Sequence, residues 1–124
     1  MIESDLKRGL VKALRKIPGA VVYRHEDQFT AGMPDISITK RGRVVWIEVK
    51  FDRDGRRAKL TPAQAIALHD LPGVLVRFIL TQDGEKSTRF DGPYGEGYFP
   101  GYAYTEITEM VSLWLEIGLP EEEP

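Results

Sequence analysis

Asp35, Glu48 and Lys50 are the residues whose types and spacing could do chemistry. The segments Asp35-Ile36-Ser37-Ile38-Thr39 and Val44-Val45-Trp46-Ile47-Glu48-Val49-Lys50 flank Lys40-Arg41-Gly42-Arg43, a pattern that predicts a β-hairpin. If Lys40 pairs with Arg43 around an Arg41-Gly42 turn, then Thr39 faces Val44, Ser37 faces Trp46 and Asp35 faces Glu48. Directly opposed side chains have β-carbons about 5 Å apart, and like charges at that distance destabilise a sheet. A divalent cation would offset the repulsion, because hard oxygen ligands suit magnesium or manganese. Alternation puts Lys50 on the face of Glu48. Two carboxylates with an ammonium beside them are what metal-assisted phosphodiester hydrolysis requires: the metal lowers the pKa of a water and stabilises charge on the phosphate, and the lysine orients or activates the attacking water. The same residues also fit an exposed sheet face that carries a plain Glu–Lys pair.

Other segments would have to position these groups. Leu6, Leu10, Ala13, Leu14 and Ile17 recur at helical spacing, which predicts a helix over Glu3–Ile17 with Lys7, Arg8, Lys12, Arg15 and Lys16 on its other face and Pro18-Gly19 at its end. Glu3 lies on the apolar stripe of that helix, so its carboxylate points inward or to the rim of the core, where it needs a partner. It equally suits a first turn where it complements the helix dipole. In Gly32-Met33-Pro34-Asp35, Gly32 permits a close backbone approach and Pro34 restricts where Asp35 points.

The remaining elements follow from periodicity and punctuation. Ala20–Arg24 reads as a strand, and His25–Pro34 as a polar loop. Phe51–Lys59 reads as a charged loop. Thr61-Pro62-Ala63-Gln64 opens a second helix, with Thr61 as N-cap, Pro62 at the first helical position and Gln64 completing a capping box; the helix stops before Pro72-Gly73. Val74–Leu80 is nearly all apolar and reads as a buried central strand. Residues 82–104, rich in glycine and tyrosine, read as a structured loop or irregular hairpin, and 105–117 as a last helix. The order predicted is helix, three strands, helix, strand, helix: an α/β domain spanning residues 1–124, with a mixed central sheet flanked by helices.

Glu3, then Gly32-Met33-Pro34-Asp35, then Ile47-Glu48-Val49-Lys50, then Leu60-Thr61-Pro62-Ala63-Gln64 resembles the PD-(D/E)XK nuclease superfamily, and within it the VRR-NUC family most closely. The resemblance runs from Glu3 to about Leu80. It implies a restriction-endonuclease-like core and a magnesium- or manganese-dependent nuclease that cuts DNA and leaves a 5′-phosphate. It also implies roles. Asp35 and Glu48 would bind the metal with the backbone carbonyl of Val49, and Lys50 would serve the nucleophilic water. Glu3 would hold a water on the metal or a second metal. Gln64 would support the lysine or contact the nucleic-acid backbone, a role that competes with its place in the capping box. Small members of this kind resemble Holliday-junction resolvases and form homodimers.

Composition limits the alternatives. The chain of 124 residues has no cysteine, which excludes disulfides, thiolate zinc sites and cysteine nucleophiles. No apolar run approaches the roughly 20 residues that span a bilayer, and Met1-Ile2-Glu3-Ser4-Asp5 lacks the start of a signal peptide; the expectation is a soluble cytoplasmic protein. The net charge is −2, but Lys40–Lys59 holds eight basic residues against three acidic ones. That cluster, with Arg53, Arg56, Arg57 and Lys59 in its loop, is the expected contact with nucleic-acid phosphates, although a solvated basic loop looks the same. His25 and His69 form no zinc pattern and read as loop and surface residues. Trp46 would wall the carboxylate face, and Trp114 would join the core. The tyrosines near Gly92-Pro93-Tyr94-Gly95 could stack on bases or form a dimer surface. Four functions stay open: an endonuclease for branched DNA, a less selective nuclease for flaps, nicks or ends, a catalytically silent DNA-binding module, and an unrelated α/β ligand-binding domain.

Overall fold

The computed structural model describes residues 3–25, 32–118 and 120. Helix α1 spans Glu3–Leu14, α2 Pro62–Asp70 and α3 Tyr104–Ile117; the strands are β1 Val21–Arg24, β2 Ile36–Lys40, β3 Arg43–Arg53, β4 Gly73–Leu80, β5 Lys86–Gly92 and β6 Gly95–Pro100. The strands form one six-stranded sheet in chain order. Every neighbouring pair is antiparallel except β3 and β4, which α2 connects in parallel. The class is therefore mixed α/β.

The hairpin register is the one that the sequence predicts. Lys40 pairs with Arg43, Thr39 with Val44 and Ser37 with Trp46. Arg41 and Gly42 both take positive φ, 52° and 79°, as a two-residue turn matched to strand twist requires.

Alternation along β3 and β4 divides the sheet into two faces. Val45, Ile47 and Val49 of β3 and Val74, Val76 and Phe78 of β4 are buried. They pack with Leu6, Leu10 and Leu14 of α1 and with Ile107, Val111, Trp114 and Leu115 of α3. Full burial of each such side chain contributes about 1.5–3 kcal/mol. Trp114 thus joins the core, as expected. The opposite face carries Trp46, Glu48, Lys50 and Asp52 of β3 beside Arg77 of β4. Helix α2 has no fully buried residue; it contributes its N-terminal turn to this polar face.

Three sequence-based boundaries need correction. Helix α1 ends at Leu14, where its last turn tightens: the amides of Lys16 and Ile17 bond to the carbonyls of Ala13 and Leu14. Ile17 keeps its place in the core without being helical. Strand β3 continues to Arg53, because the long parallel partner β4 pairs residue by residue with it as far as Leu80. The charged loop therefore shrinks to a turn in which Asp54 and Gly55 have positive φ. The segment 82–104 is not an irregular loop but chiefly the β5–β6 hairpin. Its glycines hid it: Gly97 lies under the ring of Phe90 on the neighbouring strand, where an added β-carbon would come within 2.0 Å of the ring. Finally, most of the expected loop before Pro34 lies outside the described residues.

Candidate active site

Asp35 immediately precedes β2, so it stands just outside the ladder that was expected to hold it opposite Glu48. Its side chain takes over the pairing there: Oδ2 accepts from the Val49 backbone N–H at 2.8 Å. Oδ1 lies 2.9 Å from Lys7 Nζ. The Asp35 charge reaches the Glu48 carboxyl and acts on its titration. The opposed acids are thus brought together on one side of the sheet, by a bend before the strand rather than by a ladder pair.

Glu48 is only 3% exposed. Gln64 Nε2 donates to its Oε1 at 2.8 Å, while its Oε2 is buried with no hydrogen-bond partner. Burial pushes the Glu48 carboxyl up to about 8, the Asp35 charge adds to the shift, and Lys50 and Lys7 counter it. Lys50 Nζ lies 4.0 Å from Glu48 Oε1 and donates to Gln64 Oε1 at 2.9 Å.

The two roles weighed for Gln64 coexist. Its backbone N–H donates to the Thr61 hydroxyl oxygen at 3.1 Å, and its Oε1 accepts from the Thr61 N–H at 3.0 Å, closing the capping box. The second lone pair of Oε1 holds Lys50, and its amino group holds Glu48. The cap therefore fixes the side chain that spaces lysine from glutamate.

Lys7 is the residue that sequence reasoning missed. Assigned to the solvent side of α1, its side chain is instead only 18% exposed and sits between Asp35 and Glu3, whose Oε2 is 3.6 Å away. Its position one turn after Glu3 was the available signal. Burial works against its charge, but the hydrogen bond to Asp35 and the carboxylates of Asp35, Glu3 and Glu48 outweigh it and raise its pKa. Glu3 remains partly exposed at the rim. His25 and Trp46 flank the site: His25 Nε2 lies 2.7 Å from Ser37 Oγ, and its ring centroid is 5.3 Å from that of Trp46. His69 is exposed, as expected.

The basic residues divide. Arg53, Arg56, Arg57 and Lys59 are all exposed. Buried Arg77 holds their turn from below, donating to Asp52 Oδ1 at 2.9 Å and to the Ala58 carbonyl at 2.7 Å, while Asp52 also accepts from the Ala58 N–H.

The acids present a donor set suited to a hard divalent cation. An oxygen of Glu48 is buried and unpartnered, and Asp35, whose oxygens meet the Val49 N–H and Lys7, adds a second carboxylate near it. Among the described residues no group of three or more His, Cys, Asp or Glu side chains is placed to hold a metal. Magnesium needs no such group, since it is commonly held by one or two carboxylates and keeps several waters.

Gly32 lets the segment before Asp35 pass close to α2. At φ 79°, it lies so close to α2 that an added β-carbon would fall 2.5 Å from the backbone carbon and oxygen of Ala63. Gly32→Ala is expected to cost about 2–4 kcal/mol, combining the positive-φ penalty with overpacking against backbone. Chemical denaturation of the variant checks this; an unchanged midpoint would refute the close approach.

Compared with protein-family profiles and with curated proteins, the chain matches none.

Proposed function

We propose that the chain is a divalent-metal-dependent endonuclease of the PD-(D/E)XK type, nearest to the VRR-NUC form, that hydrolyses DNA phosphodiester bonds. The observation that carries this reading is the buried Glu48, with one carboxylate oxygen unpartnered beside Asp35 and with Lys50 held next to it through Gln64. The helix, three strands, helix, strand order of the first 80 residues supports a restriction-endonuclease-like core.

Asp35 and Glu48 would hold magnesium or manganese, with the Val49 carbonyl as a further oxygen. When bound, the metal supplies a water of lowered pKa and neutralises charge on the phosphate. Gln64 holds the Lys50 amine beside Glu48, where it could orient or activate a water. Lys7 restrains Asp35, and Glu3 restrains Lys7. Branched DNA is the favoured substrate, and symmetric cutting of a four-way junction would take two copies of the chain.

The test is a gel assay of the full chain with a four-way junction, a flapped duplex and a linear duplex. Cutting that leaves a 5′-phosphate is expected in magnesium or manganese and is expected to disappear in EDTA. Cutting of the junction alone would favour the branched-DNA form, and equal cutting of all three the less selective one. Binding without cutting in either metal would overturn the proposal in favour of a silent binding module.

A further inference from the structure

The polar face of the sheet continues beyond the acids. Lys50 of β3 pairs with Arg77 of β4, Arg77 with Arg89 of β5, and Arg89 with Tyr98 of β6. Directly paired positions share a face, so these four residues form one row across the strands. With strands about 4.8 Å apart, the row is about 14 Å long. Its outer half lines a groove of about 420 Å³, together with Arg57 from the turn after β3. Arg57 and Arg89 are exposed and make no side-chain hydrogen bond or ion pair among the described residues. Arg77 is buried at the groove floor, with its Nε unpartnered. Tyr98 is 57% exposed.

We infer that this groove binds a single-stranded segment of nucleic acid that leads away from the acids. The inference rests on the nuclease reading for its direction. The exposed guanidinium groups of Arg57 and Arg89, with buried Arg77 adding positive charge at the floor, suit successive phosphates of one backbone. An exposed tyrosine at the end of a cationic row offers a stacking platform that any base can use. The volume is that of a small-molecule pocket, which admits nucleotides and excludes a duplex. Asp91 and Glu96, paired in the adjacent row and also lining the groove, repel phosphate from that side and can accept from the amino groups of bases. Of the basic residues that the sequence offered for phosphate contact, Arg53, Arg56, Arg57 and Lys59, Arg57 alone lines this groove.

The test is fluorescence anisotropy of the full chain in EDTA, with a short fluorescein-labelled single-stranded oligonucleotide. Tyr98→Ala is expected to weaken binding about five- to a hundredfold, and Tyr98→Phe to retain it, because the ring and not the hydroxyl stacks. Arg89→Ala is expected to lower the salt dependence of binding by about one phosphate contact. Both positions are exposed, and circular dichroism of the variants should match the parent chain. Unchanged binding in Tyr98→Ala and Arg89→Ala would overturn the inference. So would a duplex, or a polyglutamate peptide, that displaces the strand as well as unlabelled strand does. Because EDTA suppresses chemistry, the two readings fail separately. A chain that cuts in magnesium while both variants bind normally loses the groove and keeps the nuclease. A chain that binds as expected but never cuts loses the nuclease and keeps the groove.

Discussion

Lys50→Ala is expected to lower metal-dependent cutting by about 10²–10⁴-fold, the usual contribution of a positioned proton-transfer group, while leaving the fold and DNA binding in place. The geometry explains both halves. Lys50 is nearly enclosed, 4.0 Å from Glu48, and its amine is fixed by Gln64. Gln64 Oε1 keeps its bond from the Thr61 N–H when the amine is removed, so the start of α2 is preserved. Asp35→Asn is expected to have an effect of the same order for a different reason. An amide oxygen can still accept from Val49 N–H or Lys7, which preserves the bend before β2, but the negative charge that a cation needs is halved. Steady-state cutting assays in magnesium, paired with binding measured in EDTA, separate the two effects. Unchanged cutting in either variant would remove that residue from the site; loss of binding in parallel with cutting would show a structural role instead.

The second large effect is a pH dependence centred on Glu48. Its carboxyl is pushed from the ordinary 4.5 up to about 8, by burial first and by Asp35 next. The folded state therefore binds this proton more tightly than the unfolded state does. The corresponding stability is fully present below about pH 4.5 and is lost as pH rises through about 8. Without metal, thermal midpoints are expected to fall across that window by on the order of 5 °C or more. Glu48→Gln carries no proton to lose, so its midpoint should match the parent near pH 5 and exceed it near pH 8. Added magnesium or manganese should reverse the order at pH 8, because a cation takes the place of the proton in the parent and finds no charge in the variant. Scanning calorimetry in EDTA and in metal reads all four conditions. A parent midpoint independent of pH between 5 and 8 would contradict the buried state of Glu48, and a metal effect of equal size in Glu48→Gln would contradict its role as ligand. The same titration predicts that cutting rises toward pH 8, as Glu48 loses its proton to solvent and its carboxylate becomes available to a cation.

Local rules account for what was legible. The β2–β3 register was readable because Arg41-Gly42 needs two positive φ values and because the alternating side chains leave one register that buries Ile36, Ile38, Val45 and Ile47 together. The capping box at Thr61 and Gln64 was readable because it involves neighbours three residues apart. The β5–β6 hairpin was hard to read because its glycines weaken strand propensity; one of them, Gly97, is there to admit Phe90, a partner on another strand. Lys7 was misjudged because a lysine on a charged helix face resembles any solvated lysine until β2 and β3 bring Asp35 up against it.

By itself, then, the sequence determined the types of the chemical groups, the hairpin that carries them and the cap that opens α2, since each depends on interactions within a turn or between adjacent strands. Only the tertiary structure decided that Asp35 reaches the Val49 amide from outside the ladder, that Gln64 joins Glu48 to Lys50, that Lys7 faces inward, and that a row of cations crosses the open face to Tyr98. Those features come from packing α1 and α2 around one end of the sheet and from the parallel step between β3 and β4, contacts between segments far apart in the chain that no local pattern encodes.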